Sequence, residues 1–454
     1  MVATIGSHDS EKRPPGPRGV PWFGSAFDAW RDPLEFLVQS VRAYGNVVAF
    51  RFGHLRYLLV NEPEGVKHVL VDNAKNYTKS RNYDGLKLLL GQGLLTSEGD
   101  FWKKQRRLTQ PAFHREHLAG FVETMARSTE ALIDRWSTHE GAAPLDMHVE
   151  MMGLTFHIVG LALLSVDLLG DARAIGSALT SAITFVDDYA ESLVRLPPWV
   201  PTPANLRFRK AQRALDALVL RVIDERRKSG APQPDLLGML MAVKDEETGA
   251  GMSDRQLRDE VMTLVLAGHE TTANALTWAF YLLSKHPDAA RRVHAEAASV
   301  LGERSPDVSD VAKLTYTRAV VDEALRLYPP AWAFERQAIE ADDVLGYSVR
   351  PGTLIGICPY ALHRDPRHWD NPEGFDPSRF LAASDRPKFS YLPFGGGPRV
   401  CIGAAFAVTE AVLVLAMVMR RYRVDLLPGE RAEMAPVVTL RPRHGVWMQI
   451  RPWN

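Results

Sequence analysis

Phe394-Gly395-Gly396-Gly397-Pro398-Arg399-Val400-Cys401-Ile402-Gly403 holds a single cysteine in a glycine-rich loop that opens onto an apolar, helix-forming stretch. Glycines tolerate positive φ and close backbone approach, so such a loop can aim amide N–H groups at a sulfur. A helix starting near Cys401 would favour the thiolate through its dipole. The pattern reads as a mount for a metal thiolate. A lone cysteine beside a turn is more often an inert, buried side chain, so the neighbouring residues must decide. A phosphate-cradling loop is excluded because no Lys-Ser or Lys-Thr follows the glycines.

Outward from the loop, composition sets the bounds. The 454 residues are 46% hydrophobic, ample for a substantial core. Lys plus Arg and Asp plus Glu both number 54, so no global charge argues for nucleic acid or an anionic membrane, and recognition by charge must be local. Two cysteines, Cys358 and Cys401, are too few for a disulfide framework and fit a reducing cytoplasm. Met1 to Lys12 is polar, with neither a signal-peptide core nor a membrane span. Met151 to Val166 is mostly apolar but stops at Asp167, short of the roughly 18–20 residues a span needs, and reads as a buried core helix.

Short β-type runs, Asn46 to Gly53 and Arg56 to Val60, flank Gly53-His54-Leu55 and predict a hairpin. Leu354 to Cys358 reads as a buried strand. Helical patterning dominates from Phe101 to about Glu225, broken by loops at Pro197-Pro198, at Pro201 to Pro203 and at Gly230 to Asp235. Ser253 with Gln256 forms a capping-box pattern that opens a helix running to about Lys285, before Pro287. That is about 48 Å of helix. Val261 to Gly268 is apolar around most of its circumference, which places the helix in the interior. The class is mainly α with a smaller β region.

Several constellations carry chemistry. Ala267-Gly268-His269-Glu270-Thr271-Thr272 sets a small pair beside an acid and two hydroxyls in that helix. A buried carboxylate needs a partner or a proton-handling role, and a helical threonine often only bonds back to its own backbone. The fourth residue after His269 is Ala273, so no HExxH zinc site exists. Glu323 and Arg326 face one side of a helix three residues apart. Trp102 and Arg106, at i and i+4, offer an indole N–H and a guanidinium suited to a carboxylate, within the basic run Trp102 to Arg107.

The spacing Phe394, Gly397, Arg399, Cys401, Gly403 resembles the haem-ligand signature FxxGxRxCxG of the cytochrome P-450 superfamily, the thiolate-ligated monooxygenases. The other motifs follow in that family's order from residue 14 to about 445. The resemblance implies a polar tail over 1–13 and a single catalytic domain over 14–454, with the P-450 fold and its long central helix over the haem. It implies haem b (iron protoporphyrin IX) as cofactor and Cys401 as its iron ligand. Phe394 and Gly403 would shape the ligand loop, Ala267 would make room beside the haem, and Trp102, Arg106, Arg336 and Arg399 would hold its propionates. Glu270 and Thr271 would deliver protons to dioxygen. Glu323, Arg326 and Arg379, the last within Asp376 to Phe380, would form a structural Glu-Arg-Arg network.

By the same likeness, Leu86, Leu89, Leu90, Ala267, Thr271, Ala331, Trp332, Phe334 and Val438 would line the substrate pocket. That inventory implies a hydrophobic substrate such as a fatty acid, terpenoid, steroid or macrolide, with Arg81 or Lys87 as a possible carboxylate anchor or as plain surface charges. The expected partners are dioxygen and a separate electron donor, a ferredoxin, flavodoxin or reductase, docking near Lys103, Lys104 and Arg107. The polar start without an anchor is similar to soluble bacterial members and implies a cytoplasmic monomer that binds no nucleic acid. A haem-thiolate gas sensor and a peroxide-driven peroxygenase are the alternative activities.

Overall fold

A computed structural model describes residues 13–138, 144–168, 172–192, 195–230, 235–244, 249 and 251–453. The tail 1–12 and residues 231–234 of the loop expected at Gly230 to Asp235 lie outside the described residues. The chain partitions into two compact units, each assembled from separated stretches of sequence.

One unit comprises residues up to Arg81, Trp332–Gly374 and Asp385–Cys401. Its frame is a five-stranded sheet in the order Val47–Phe52, Leu55–Val60, Leu354–Ile357, Phe334–Ala338, Tyr77–Thr78. The first pair is the expected hairpin, antiparallel with Val47 opposite Val60 and Phe52 opposite Leu55. Its turn is the two residues Gly53-His54, with Gly53 at φ +61, so Leu55 already belongs to the second strand. Leu354–Ile357 is buried at every position, as a strand covered on both faces must be, and it pairs parallel to Leu55–Val60. Val47, Leu58, Val60, Val66, Ile355 and Ile357 build the core of this unit.

The other unit comprises Asn82–Ala331, Phe375–Ser384 and Ile402–Asn454, and it is mainly helical. The central helix runs Asp254–Lys285, 32 residues, from the Ser253 N-cap with the full capping box to Gln256. Between Asp259 and Phe280 every residue is buried except Ala267, Gly268 and Thr271. The partner it packs against most extensively is Met147–Leu164, whose apolar residues point in all directions. By length and composition that helix is the only one among the described residues that could cross a membrane, but its burial is that of a core helix. It ends where Ser165 takes a left-handed φ of 51°. Trp278, fully buried, stacks on Tyr328 with ring centroids 4.3 Å apart, a pairing that contributes about 0.5–1.5 kcal/mol beyond its buried area. The cysteine loop is followed in sequence by the helix Ala404–Arg421.

Candidate active site

The cysteine loop owes its shape to two glycines. Gly395 and Gly397 have φ of +69° and +68°. A Cβ at Gly397 would sit 1.9 Å from the Leu70 carbonyl oxygen, an approach only glycine allows. The Cys401 amide donates to the Phe394 carbonyl at 2.9 Å and the Val400 amide to Gly397 at 3.0 Å, so the loop closes on itself and presents Cys401 outward. Cys358 is the opposite case. It has no exposed surface, its thiol donates to the Trp332 carbonyl at 3.3 Å, and burial pushes it up to about 12. A metal-binding cysteine must be reachable and ionisable, and of the two only Cys401 is reachable. In the same unit Arg336 is buried on the strand Phe334–Ala338, with its guanidinium donating to the Glu335 carbonyl at 2.9 Å.

In the helical unit, Glu323 and Arg326 are fully buried and joined by two bonds of 2.7 and 2.8 Å. Arg379 Nε adds a third at 3.3 Å and the Asp376 amide a fourth at 2.8 Å. One carboxylate thus collects two guanidiniums and an amide, and ties the segment around Asp376 to the helix Thr315–Leu327.

Trp102 and Arg106 lie one turn apart on the helix Gly99–Thr109 and line an open cavity of about 340 Å³ with Lys103, Arg107, Gln110, Pro111 and His114. Three permanent or near-permanent cations around an indole give this cavity a lining chemically suited to an anion. Lys103 is also paired with exposed Asp100 at 2.8 Å.

On the central helix, Glu270 and Thr271 are neighbours in sequence but occupy different surroundings. Thr271 shares the accessible window with Ala267 and donates its hydroxyl to the Ala267 carbonyl at 2.8 Å. Glu270 is 4% exposed, and its Oε1 accepts from the Thr439 hydroxyl at 2.7 Å. Thr439 in turn accepts from Asn274 Nδ2 at 3.1 Å, and Asn274 Oδ1 lies 3.1 Å from His148 Nε2. Thr439, Asn274 and His148 carry no sequence signature, since each of these bonds joins residues more than a hundred positions apart. His269 is buried beside Phe156, and burial holds its pKa below the ordinary histidine value.

Among the residues expected in the substrate pocket, Ala267 and Thr271 share the window, and Val438 is half-buried next to Thr439. Leu86, Trp332 and Phe334 are half-buried, Ala331 is exposed, and Leu89 and Leu90 are fully buried. Lys87 is ion-paired with Asp84 at 3.1 Å.

The cytochrome P450 family profile matches residues 14–446, and the chain belongs to that family. It is 42% identical over 429 residues to cyclooctatin synthase of Streptomyces melanosporofaciens, covering 93% of this chain and 92% of the relative. It is 37% identical over 419 residues to cyclooctat-9-en-7-ol 5-monooxygenase of the same organism, covering 91% and 90%. Pentalenene oxygenase of Streptomyces avermitilis is 34% identical over 441 residues, covering 96% of each chain. The protein is therefore a cytochrome P450 monooxygenase, and haem b is its cofactor. Taken one unit at a time, the residues present have the chemistry such a group needs: in one, a reachable thiol on a glycine-shaped loop; in the other, a cavity lined by cations and a small-residue window on a buried helix.

Proposed function

We propose that this monooxygenase hydroxylates or epoxidises a terpenoid, drawing two electrons from a separate ferredoxin, flavodoxin or reductase. The observation that carries the substrate class is the likeness, over nearly the whole chain, to enzymes named for cyclooctatin and pentalenene chemistry. The half-buried apolar side chains of Leu86, Trp332, Phe334 and Val438 suit such a hydrocarbon surface. Lys87, already paired with Asp84, gives no support to a carboxylate anchor for a fatty acid.

Haem bound through Cys401 supplies the chemistry that cleaves dioxygen, so that substrate, dioxygen, two electrons and two protons give oxidised product and water. Trp102, Arg106, Arg336 and Arg399 would hold its carboxylates by charge-assisted hydrogen bonds. Phe394 and Gly403 would bound the ligand loop. Ala267, with one methyl group, leaves the window open. The Thr271 hydroxyl stands on that open face and hands a proton on to dioxygen, and Glu270 renews it from its protonated carboxyl group, itself reprotonated from solvent. Glu323, Arg326 and Arg379 do no chemistry and hold the backbone that leads to the cysteine loop. Lys103, Lys104 and Arg107 form the basic face for an acidic electron donor. An acid and a hydroxyl placed to manage protons favour reductive use of dioxygen over a peroxide-driven reaction.

Spectral titration of the haem-loaded enzyme tests the substrate class, with cyclic terpene alcohols set against long-chain fatty acids and their methyl esters. The expected result is a Soret shift with the terpenoids, followed by NADPH-dependent product in a surrogate redox chain. Binding and turnover of fatty acids alone would overturn it, and product with hydrogen peroxide but not with NADPH would favour the peroxygenase.

A further inference from the structure

From Ser192 to Leu215 the chain carries five basic residues and no acid, although Lys plus Arg and Asp plus Glu balance at 54 each over the whole sequence. The same stretch sets Trp199 among four prolines, Pro197, Pro198, Pro201 and Pro203. Proline fixes φ, so this loop is stiff before any side chain packs. Asn205, 4% exposed, pins it: its Nδ2 donates to the Pro197 carbonyl at 3.0 Å and to that of Val200 at 2.8 Å. The Val200 amide closes the turn onto the Pro197 carbonyl at 3.0 Å. Trp199 thus stands on a built turn, and it is 75% exposed.

The helix Pro203–Ser229 follows directly. Thr202 caps it by accepting from the Asn205 amide at 3.1 Å. Phe208, Ala211 and Leu215 form its buried face, where Phe208 stacks on Phe185 with centroids 4.2 Å apart. Leu206, Lys210 and Arg213 recur at i, i+4 and i+7 on the solvent side, with Arg207 beside them. Leu206 is 50% exposed, and Leu196, ahead of the turn, 46%. Arg207, Lys210 and Arg213 are exposed and meet no acid or hydrogen-bonding partner among the described residues. Like charges one turn apart on a helix repel, a cost that an anionic partner relieves.

We propose that this turn and helix face dock on an anionic lipid bilayer, with Leu196, Trp199 and Leu206 entering the headgroup layer and Arg207, Lys210 and Arg213 binding lipid phosphates. Exposed apolar side chains rimmed by cations have the composition of an interfacial membrane contact, and tryptophan favours that depth. Shape narrows the occupant further. Trp199 projects with three-quarters of its surface in solvent. A deformable lipid surface accepts such a projection directly, whereas a folded partner must offer a matching hollow. An enzyme for hydrophobic substrates is thereby held where such molecules dissolve. Vesicle binding is independent of the terpenoid reading, since either can fail while the other stands.

The test is co-sedimentation of the haem-loaded enzyme with sucrose-filled vesicles, made of phosphatidylcholine alone or of phosphatidylcholine mixed with phosphatidylglycerol. Binding should require the anionic lipid and weaken in high salt. Each cation at such a surface contributes about a fivefold gain in partition, so R207Q/K210Q should lower it about 25-fold. W199S should lower it about tenfold, as the loss of roughly a quarter of an indole's buried area predicts. R291Q/R423Q removes the same net charge from exposed side chains elsewhere and should bind as the wild type does. The carbon monoxide difference spectrum of each variant, unchanged, shows that it is folded around its haem. A wild type that ignores anionic vesicles overturns the proposal. So does binding that R207Q/K210Q and W199S leave intact, which places the contact elsewhere. If those variants instead abolish self-association in light scattering, or change the salt dependence of reduction by the electron donor, with vesicle binding unaltered, the surface belongs to a second copy or to a protein partner and not to lipid.

Discussion

Glu323→Gln isolates the buried ion network from the chemistry. Glu323 and Arg326 are 0% exposed and Arg379 is 9% exposed, so water cannot replace what the substitution removes. The oxygen retained by glutamine satisfies part of Arg326 or the Asp376 amide, while the new NH₂ group faces a guanidinium. The network goes from one negative and two positive charges to two positive charges alone. Breaking a buried pair in this way costs about 3–5 kcal/mol. Folded domains are stable by about 5–15 kcal/mol, so about a fifth or more of the margin disappears. The assay is urea unfolding followed by tryptophan fluorescence, with Asp100→Asn as control because its pair with Lys103 is fully exposed. E323Q should unfold at clearly lower urea and lose haem in the same transition, and D100N should match the wild type. An E323Q midpoint equal to that of the wild type would mean that the three side chains contribute nothing to holding the segment around Asp376.

Two further outcomes follow from buried groups. Burial raises Glu260 to about 7 from an ordinary 4.5, with only the Leu94 amide donating to it at 3.1 Å. The folded state therefore holds this proton more tightly than the unfolded chain, and stability is lost as pH climbs from about 4.5 to about 7, by roughly 3 kcal/mol in all. Glu260→Gln removes that loss, so its urea midpoint should exceed the wild type at pH 8 and converge with it near pH 5; a constant offset would refute the assignment. In haem-stripped protein, iodoacetamide at neutral pH should alkylate Cys401 and spare Cys358, as peptide mapping will show, and equal labelling would contradict the burial of Cys358.

What could be read in advance was what is local. Ser253 and Gln256 sit three residues apart, and the capping box they form started the central helix where the pattern placed it. Gly53 marked the hairpin, with an error of one residue at Leu55. Leu354–Ile357 was recognisable as a buried strand, but nothing in four apolar residues names Leu55–Val60 as its parallel partner. The motif around Glu270 was visible through its likeness to a family. The separation of Glu270 from Thr271 was not, because it depends on Thr439 and His148, which reach the helix from far along the chain. A side-chain bond between distant positions leaves no periodicity for a sequence to display.

The narrow window on the central helix also bears on how such an enzyme can change. Over about six turns, almost any substitution would open a cavity or overpack a neighbour, and selection for stability would remove it. Gly268 is nearly as constrained, since a Cβ there would meet Val159 at 3.2 Å. Ala267 and Thr271 remain as the two places where the helix can be altered cheaply, and both are residues proposed above to face the reaction. Divergence in this helix is thereby steered toward catalytic selectivity, with the scaffold itself held constant.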